Sequence, residues 1–480
     1  MTRARLLVRR ASIGSAVTDL RIEEGRIVEV GSGLRRAAGE PELDAHHGAI
    51  IPGLHDHHLH LRALVAVDRS VRVGPPQIRN GAGFATALAT AAAGSPPGEW
   101  VRAVGYHESV AGDLDRVVLD RIVSDRPVRV QHRSGALWVC NSAGLAALGL
   151  DSETAPGIER DAAGRPTGRL WRMDAWLAGR PGSTSPIHDR RPGLRQLSAD
   201  AAATGITGWT DATPERTDDD ARDLAEAVAT REVRQRLHLM VGSRMGPGTI
   251  TDIERVGGVS VGPVKVLLDD TDLPVLDDLV DRIDRAHTTG RPVAVHCVTR
   301  IQLVLTLAAL AVAGTLPGDR IEHGALIPTE MVPRLAEWGL TVVTQPNFVA
   351  ERGDEYLADV PVAEQPDLWR GRSLVDAGVL VAAGTDAPFG SADPWSAIRA
   401  AVRRQTPSGA VLGAAEAVDW GVALRWWWGS AFAPSQIRRL EPGAVADLVV
   451  VGAPLIAALE GDGPVPVEAT VIGGEIVFSR

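Results

Sequence analysis

The sequence predicts an α/β protein: a (β/α)8 TIM barrel with a small β-sandwich built from both chain ends and an insertion after strand 1. Three observations predict this. From residue 200 onward, short apolar, β-branched runs alternate with helical patterns, the mark of successive βα units and a parallel sheet. The two ends carry alternating, Gly-punctuated strand patterns with no helical signal. Between them, residues 61–200 are rich in turns, as in GRPTGRLWRMDAW.

The barrel strands follow in order. The first is AIIPGLHDHHLH (49–60), then GITGWTDAT (205–213), RLHLMVGS (236–243), PVKVLLD (263–269), PVAVHCV (292–298), RIEHG (320–324), TVVTQPNF (341–348) and LVAAGTDAP (380–388). Helical stretches such as LPVLDDLVDRIDRAHTTG separate several of them, with apolar residues every three or four positions and a stop at Gly290. Eight strands with intervening helices suggest a closed barrel, and setting the insertion aside leaves roughly 240 residues, near the usual ~250. The domain reading is therefore a composite sandwich from 1–48 and 439–480, a barrel domain over 49–438, and an insertion at 61–200 within it. Loops after barrel strands form the catalytic face, so the insertion is expected to act as a lid and specificity element.

Composition excludes several classes. Net charge is −10 with both signs interspersed, so no basic stripe exists for nucleic acid. The longest apolar run, Leu303 to Gly314, is too short to span a bilayer and reads as a buried helix. The N-terminal apolar stretch breaks at Asp19 and Arg21, too soon for a secretory segment. Cys140 and Cys297 make no disulfide framework. The expectation is a soluble, cytoplasmic protein with a small-molecule substrate. The tract RWWWGS (425–430) reads as packing or as the contact of a homo-oligomer.

Residues 55–60 read HDHHLH, four of the chain's 13 histidines. Side chains two apart on a strand share a face, so His55 pairs with His57 and His58 with His60. Turning the second pair inward sends Leu59 and Leu61 out against the helices and sets the imidazoles nearer the strand's C-terminal end, where barrel enzymes keep their chemistry. His58 and His60 are thus the candidate ligands, with Asp56 on the same face to orient one of them; His55 and His57 default to packing or hydrogen bonding. Lys265 is the chain's only lysine among 50 basic residues. Either coding bias left one lysine, or the position needs an amine able to lose its proton. Lys265, His296, His323 and Asp386 all fall toward C-terminal ends of strands four, five, six and eight and would converge with the first-strand pair. Imidazole and carboxylate suit zinc and similar divalent metals.

PGLHDHHLH, VKVLLDD, VAVHCVTR, RIEHG, TQPNF and GTDAPFG, in this order, resemble the amidohydrolase superfamily, in particular its branch of metal-dependent amide hydrolases that includes N-substituted formamide deformylases. The inserted HRSGALWVCNS and RPTGRL resemble that branch too. The resemblance implies two divalent ions, zinc by donor type, bridged by a carboxylated Lys265. It implies His58, His60 and Asp386 around the more buried ion, and His296 and His323 around the more exposed one. It further implies attack of a metal-bound hydroxide on a C–N bond of the amide type, with Asp386 as base and then acid. Two departures bear on the substrate. Gly135-Ala136 replaces a common Gly-His, and Thr299-Arg300 replaces a common Gly-Asp; Arg300 either favours an anionic group or simply starts a helix. His107, His132, Arg133 and Trp138 in the insertion are candidate substrate contacts or plain packing residues.

Two other readings fit the sequence less well. A mononuclear deaminase of a cyclic or amidine substrate resembles its kind in a fifth-strand HxxE, and Thr299 stands at that glutamate's place. A non-catalytic scaffold relative typically lacks ligands, and here all six residues are present.

Overall fold

The computed structural model describes residues 5–480 except 15, 97, 179 and 181–186. It divides into two compact units, one of residues 1–60 and 194–480 and one of residues 61–193.

The first unit contains an eight-stranded parallel sheet in strictly sequential order. Its strands are β1 (Leu54–Leu59), β2 (Ile206–Asp211), β3 (Arg236–Val241), β4 (Val259–Val266), β5 (Val293–Cys297), β6 (Arg320–His323), β7 (Thr341–Thr344) and β8 (Leu380–Ala383). They are buried on both faces, which is why the sequence reads as short continuous apolar runs. The segment after β8 returns to the first strand: Asp386 donates its backbone N–H to the His58 carbonyl (2.8 Å), and His60 donates to Ala387 (2.8 Å). The barrel is thereby nearly closed.

The run 49–60 is two strands rather than one. Ala49–Pro52 pairs antiparallel with Leu448–Val451, and the barrel strand begins only at Leu54. The change of sheet falls at Gly53, where a Cβ would lie 2.3 Å from the Thr207 side chain; only glycine permits that approach.

Strands from both chain ends form one eight-stranded sheet. Its edge strand Arg26–Gly31 meets the segment just before Leu448–Val451, with Ile27 donating to Ala444 (2.9 Å) and Gly443 donating back to Ile27 (2.8 Å). The expected sandwich is thus a single sheet curled on a core that includes Leu6, Leu20, Ile22, Ile27, Leu448, Val450 and Val471.

The apolar run at 303–314 belongs to helix Arg300–Ala313 and is amphipathic rather than buried throughout. Leu303, Leu307 and Leu310 pack inward, whereas Ile301, Val304 and Val312 are exposed. Of the tryptophan tract, Trp426 and Trp427 are core residues. Among the described residues no helix is long and apolar enough to cross a membrane.

The second unit, residues 61–193, is more regular than its turn-rich sequence suggests. A six-stranded mixed sheet runs in the order Ile158–Arg160, Pro166–Trp171, Leu137–Cys140, Val128–His132, Val101–Tyr106, Val71–Arg72. Its core includes Val73, Phe84, Leu88, Leu119 and Val130.

Candidate metal centre

The side chains at the C-terminal ends of the barrel strands converge. His58 lies in β1 and His60 one residue beyond it, Lys265 in β4, His296 in β5, His323 at the end of β6, and Asp386 three residues past β8. Donor atoms of His58, His60 and Asp386 all lie within 4.8 Å of one another. The ring of His323 stands 4.7 Å from that of His58 and 4.5 Å from that of His296.

Two of these placements depend on backbone that departs from the strand pattern. In the register of β5 and β6, His323 sits beside Cys297, whose thiol faces Thr306 of helix Arg300–Ala313 at 3.3 Å. Alternation alone would send His323 outward with it. A φ of +71° at His323 reverses this, so His323 and its neighbour Glu322 both face the centre. Asp386 likewise has φ +54°.

Glu322 is the residue that the sequence reading passed over. Its carboxylate is fully buried, accepts from His58 Nδ1, and is paired with Arg320, whose guanidinium also donates to the His57 carbonyl (2.7 Å). Burial pushes the Glu322 pKa up, but Arg320, His58 and Lys265 outweigh this and hold it well below the usual carboxylate range.

The imidazoles are oriented from behind. Because an ionised Glu322 accepts only, His58 carries its proton on Nδ1 and leaves Nε2 bare. Gln345 does the same for His323, its Oε1 2.7 Å from Nδ1 while its amide donates to Val343. Thr213 stands 3.4 Å from His60 Nδ1, and its backbone is tied to Asp211, itself ion-paired with buried Arg216. This is the outer layer that fixes tautomer and ring plane in metal sites.

Burial, then the field of Lys265, lowers the His58 pKa to about 3, so the ring is neutral. Burial also lowers that of Lys265, against the pull of Glu322 and Asp386. For Asp386, burial raises the pKa, yet facing His60, His323 and His58 hold it well below the carboxylate range. The consequence is geometric. His58 Nε2 and Asp386 Oδ1 are both buried, neither has a hydrogen-bond partner among the described residues, and they face each other at 3.6 Å. Two acceptors at that distance make a place that a cation would fill. His60 Nε2 lies 3.3 Å from the same oxygen.

Other expectations change. Asp56 does not orient an imidazole. It accepts from the backbone N–H of His58 (3.1 Å) and Thr385 (3.0 Å) and from the Thr385 hydroxyl (2.6 Å), tying β1 to the segment after β8. Burial pushes its pKa up to about 7. The division of HDHHLH into two opposite faces also fails. Two residues of β1, His57 and His58, oppose one of β2, Thr210, between Asp56↔Trp209 and Leu59↔Asp211, a bulge that resets the alternation. His57 is buried and, after burial, feels Arg320 most strongly, the same cation that flanks the Glu322–His58 pair. His55 meets Thr210 Oγ1 at 2.8 Å.

Arg300 opens the helix after β5 and lies 3.8 Å from both Glu364 and Asp367, so its charge is already balanced. In the second unit, Trp138 is a core residue: its indole N–H donates to Asp174 (2.8 Å) and its ring is covered by Arg102 and Arg129. That leaves neither its face nor its donor for a substrate. Arg133 donates its backbone N–H to Tyr106 (2.8 Å), and His107 and His132 flank Glu108.

A parallel barrel with imidazoles, carboxylates and one lysine at the C-terminal ends of its strands defines the class, and residues 42–478 match it directly: the chain belongs to the amidohydrolase family and is an enzyme of that metal-dependent family. Among its relatives is the N-substituted formamide deformylase of Arthrobacter pascens, 26% identical over 96% of this chain and 94% of that protein. The fold is shared with a metal-dependent hydrolase from Pyrococcus horikoshii (TM-score 0.71, 19% identity, 92% of this chain and 96% of that one). It is also shared with N-isopropylammelide isopropylaminohydrolase from Burkholderia multivorans (TM-score 0.55, 20% identity, 98% of each chain).

Proposed function

We propose that the protein hydrolyses a C–N bond of the amide type in a small molecule, using two divalent metal ions, zinc by donor class, bridged by a carboxylated Lys265. The observation that carries this reading is the pair of buried atoms, His58 Nε2 and Asp386 Oδ1, facing each other at 3.6 Å with no hydrogen-bond partner among the described residues. His58, His60 and Asp386 would hold the more buried ion and His296 and His323 the more exposed one. Lys265 suits the bridge because burial lowers its pKa. A neutral amine can add to carbon dioxide, forming a carbamate and releasing a proton, and the carbamate would offer its two oxygens to the ions; a guanidinium does not deprotonate for this.

Bound there, the ions supply Lewis acidity, bringing the pKa of water from ~15.7 toward ~7 and polarising a carbonyl. The chain's own groups do the rest. Asp386, ionised and facing the centre, takes the proton of the attacking water and delivers it to the departing amine, base first and acid second. Glu322 and Gln345 keep the Nε2 atoms of His58 and His323 free of protons.

The Arthrobacter relative's name places N-formyl amides first in a substrate screen, followed by N-acyl, carbamate and cyclic amide compounds. Zinc-loaded enzyme is expected to hydrolyse at least one class, with Asp386→Asn inactive on it. Turnover of none, or equal turnover by the variant, overturns the proposal. A mononuclear deaminase is disfavoured at Thr299: it caps helix Arg300–Ala313 and donates its hydroxyl to Asp270 (3.0 Å), so no carboxylic acid occupies the proton-shuttle position.

A further inference from the structure

A second group of donors lies wholly within residues 61–193. Strands Val101–Tyr106 and Val128–His132 run parallel as neighbours, with Tyr106 beside His132. His107 follows the first strand immediately and His132 ends the second. Their rings stand 5.8 Å apart at an interplanar angle of 32°. The Glu108 carboxylate lies between them, with Oε2 3.1 Å from His132 Nε2 and 3.6 Å from His107 Nε2.

Both imidazoles are held the same way. His107 Nδ1 contacts Ser109 Oγ at 2.9 Å and His132 Nδ1 contacts Ser134 Oγ at 2.7 Å, a His-x-Ser arrangement that occurs on each of the two segments. Each Nδ1 also accepts from the backbone N–H of the same serine, at 3.3 Å for His107 and 3.2 Å for His132, which turns both Nε2 atoms toward the shared carboxylate. The donor atoms of all three residues fall within 4.8 Å of one another. Tetrahedral zinc, with ligands at ~2.0–2.2 Å, separates adjacent donors by about 3.3 Å, and the two nitrogen–oxygen distances bracket that value. The two imidazoles are partly exposed, with 17% and 16% of their side-chain surface accessible.

We infer that His107, Glu108 and His132 form a second binding site for a divalent cation of the zinc class, clasping the ends of two neighbouring strands of the inserted unit. It requires nothing of Lys265 or Asp386 and stands whether or not the barrel reaction is as proposed.

The test uses the full chain, stripped with chelator and titrated with Zn2+ against a chromophoric competitor. Wild type is expected to bind one ion per chain more than His107→Gln/His132→Gln, and Glu108→Gln alone is expected to weaken that ion by roughly tenfold or more. Equal stoichiometry and affinity in wild type and double variant overturns the site. Independently of how the variants fold, carbethoxylation of wild type is read by peptide mass spectrometry. Zinc should protect both His107 and His132, and unchanged modification rates at both would refute the inference.

Discussion

Glu322→Gln is the sharpest perturbation of the barrel centre, because the substitution keeps shape and removes only charge. Glu322 is fully buried, and Arg320, its partner, is 2% exposed. Breaking a buried pair by neutralising one member leaves an uncompensated charge and costs about 3–5 kcal/mol. The glutamine can still accept from His58 Nδ1, so the orientation of the ring is partly kept, but its basicity falls; loss of such a carboxylate partner typically weakens metal binding about 10–100-fold. Urea unfolding of chelated protein reads the first quantity and metal titration the second. Adding Arg320→Met should recover part of the stability, since both charges are then gone. The pH dependence has a definite sign. The folded pKa of Glu322 is depressed, so its stabilisation is present above the unfolded value of about 4.3 and is lost as pH falls through the folded one. The glutamine variant should therefore show a shallower acid limb. A stability within about 1 kcal/mol of wild type and an unchanged metal affinity would refute the reasoning.

Three further outcomes follow from the same geometry. Lys265→Arg should lose at least one metal ion by elemental analysis and nearly all activity, because the guanidinium does not form the bridging carbamate. Asp386→Asn should keep the wild-type circular dichroism and melting behaviour while kcat falls by several orders of magnitude, as removal of a proton carrier at the reacting atoms requires. Asp56→Ala should destabilise the barrel by about 3 kcal/mol, since it strips the acceptor from two backbone N–H groups and a buried hydroxyl; Asp56→Asn, which retains an oxygen for both N–H groups, should cost much less by urea unfolding.

Much of the barrel could be read from the chain because parallel strands buried on both faces leave compact β-branched runs, and helices between them leave a different period. Of the six residues singled out from histidine spacing, the lone lysine and the strand ends, His58, His60 and Asp386 form one cluster with the rings of His323 and His296 beside it, and Lys265 acts on His58 and Asp386 through its charge. What escaped has a common cause in local backbone. Strict alternation makes Glu322 and His323 face opposite ways, and only the positive φ of His323 lets both reach the centre. The bulge between Asp56 and Leu59 likewise breaks the parity that divided HDHHLH into two faces. The boundary at Gly53, where one apolar run serves two sheets, depends on a close approach to Thr207 that periodicity does not encode. In the inserted unit, the meeting of His107, Glu108 and His132 is set by the parallel pairing of two strands separated by a helix-containing connection, a tertiary fact with no local signature.

The central claim is that the cluster around Lys265 holds two ions and not one. Anomalous diffraction at the zinc absorption edge from zinc-loaded crystals tests it most directly. Two peaks separated by about 3.5–4 Å, one among His58, His60 and Asp386 and one beside His296 and His323, with density for a carbamate on Lys265 between them, is the predicted result. A single peak in that cluster, with an unmodified Lys265 side chain, would contradict it.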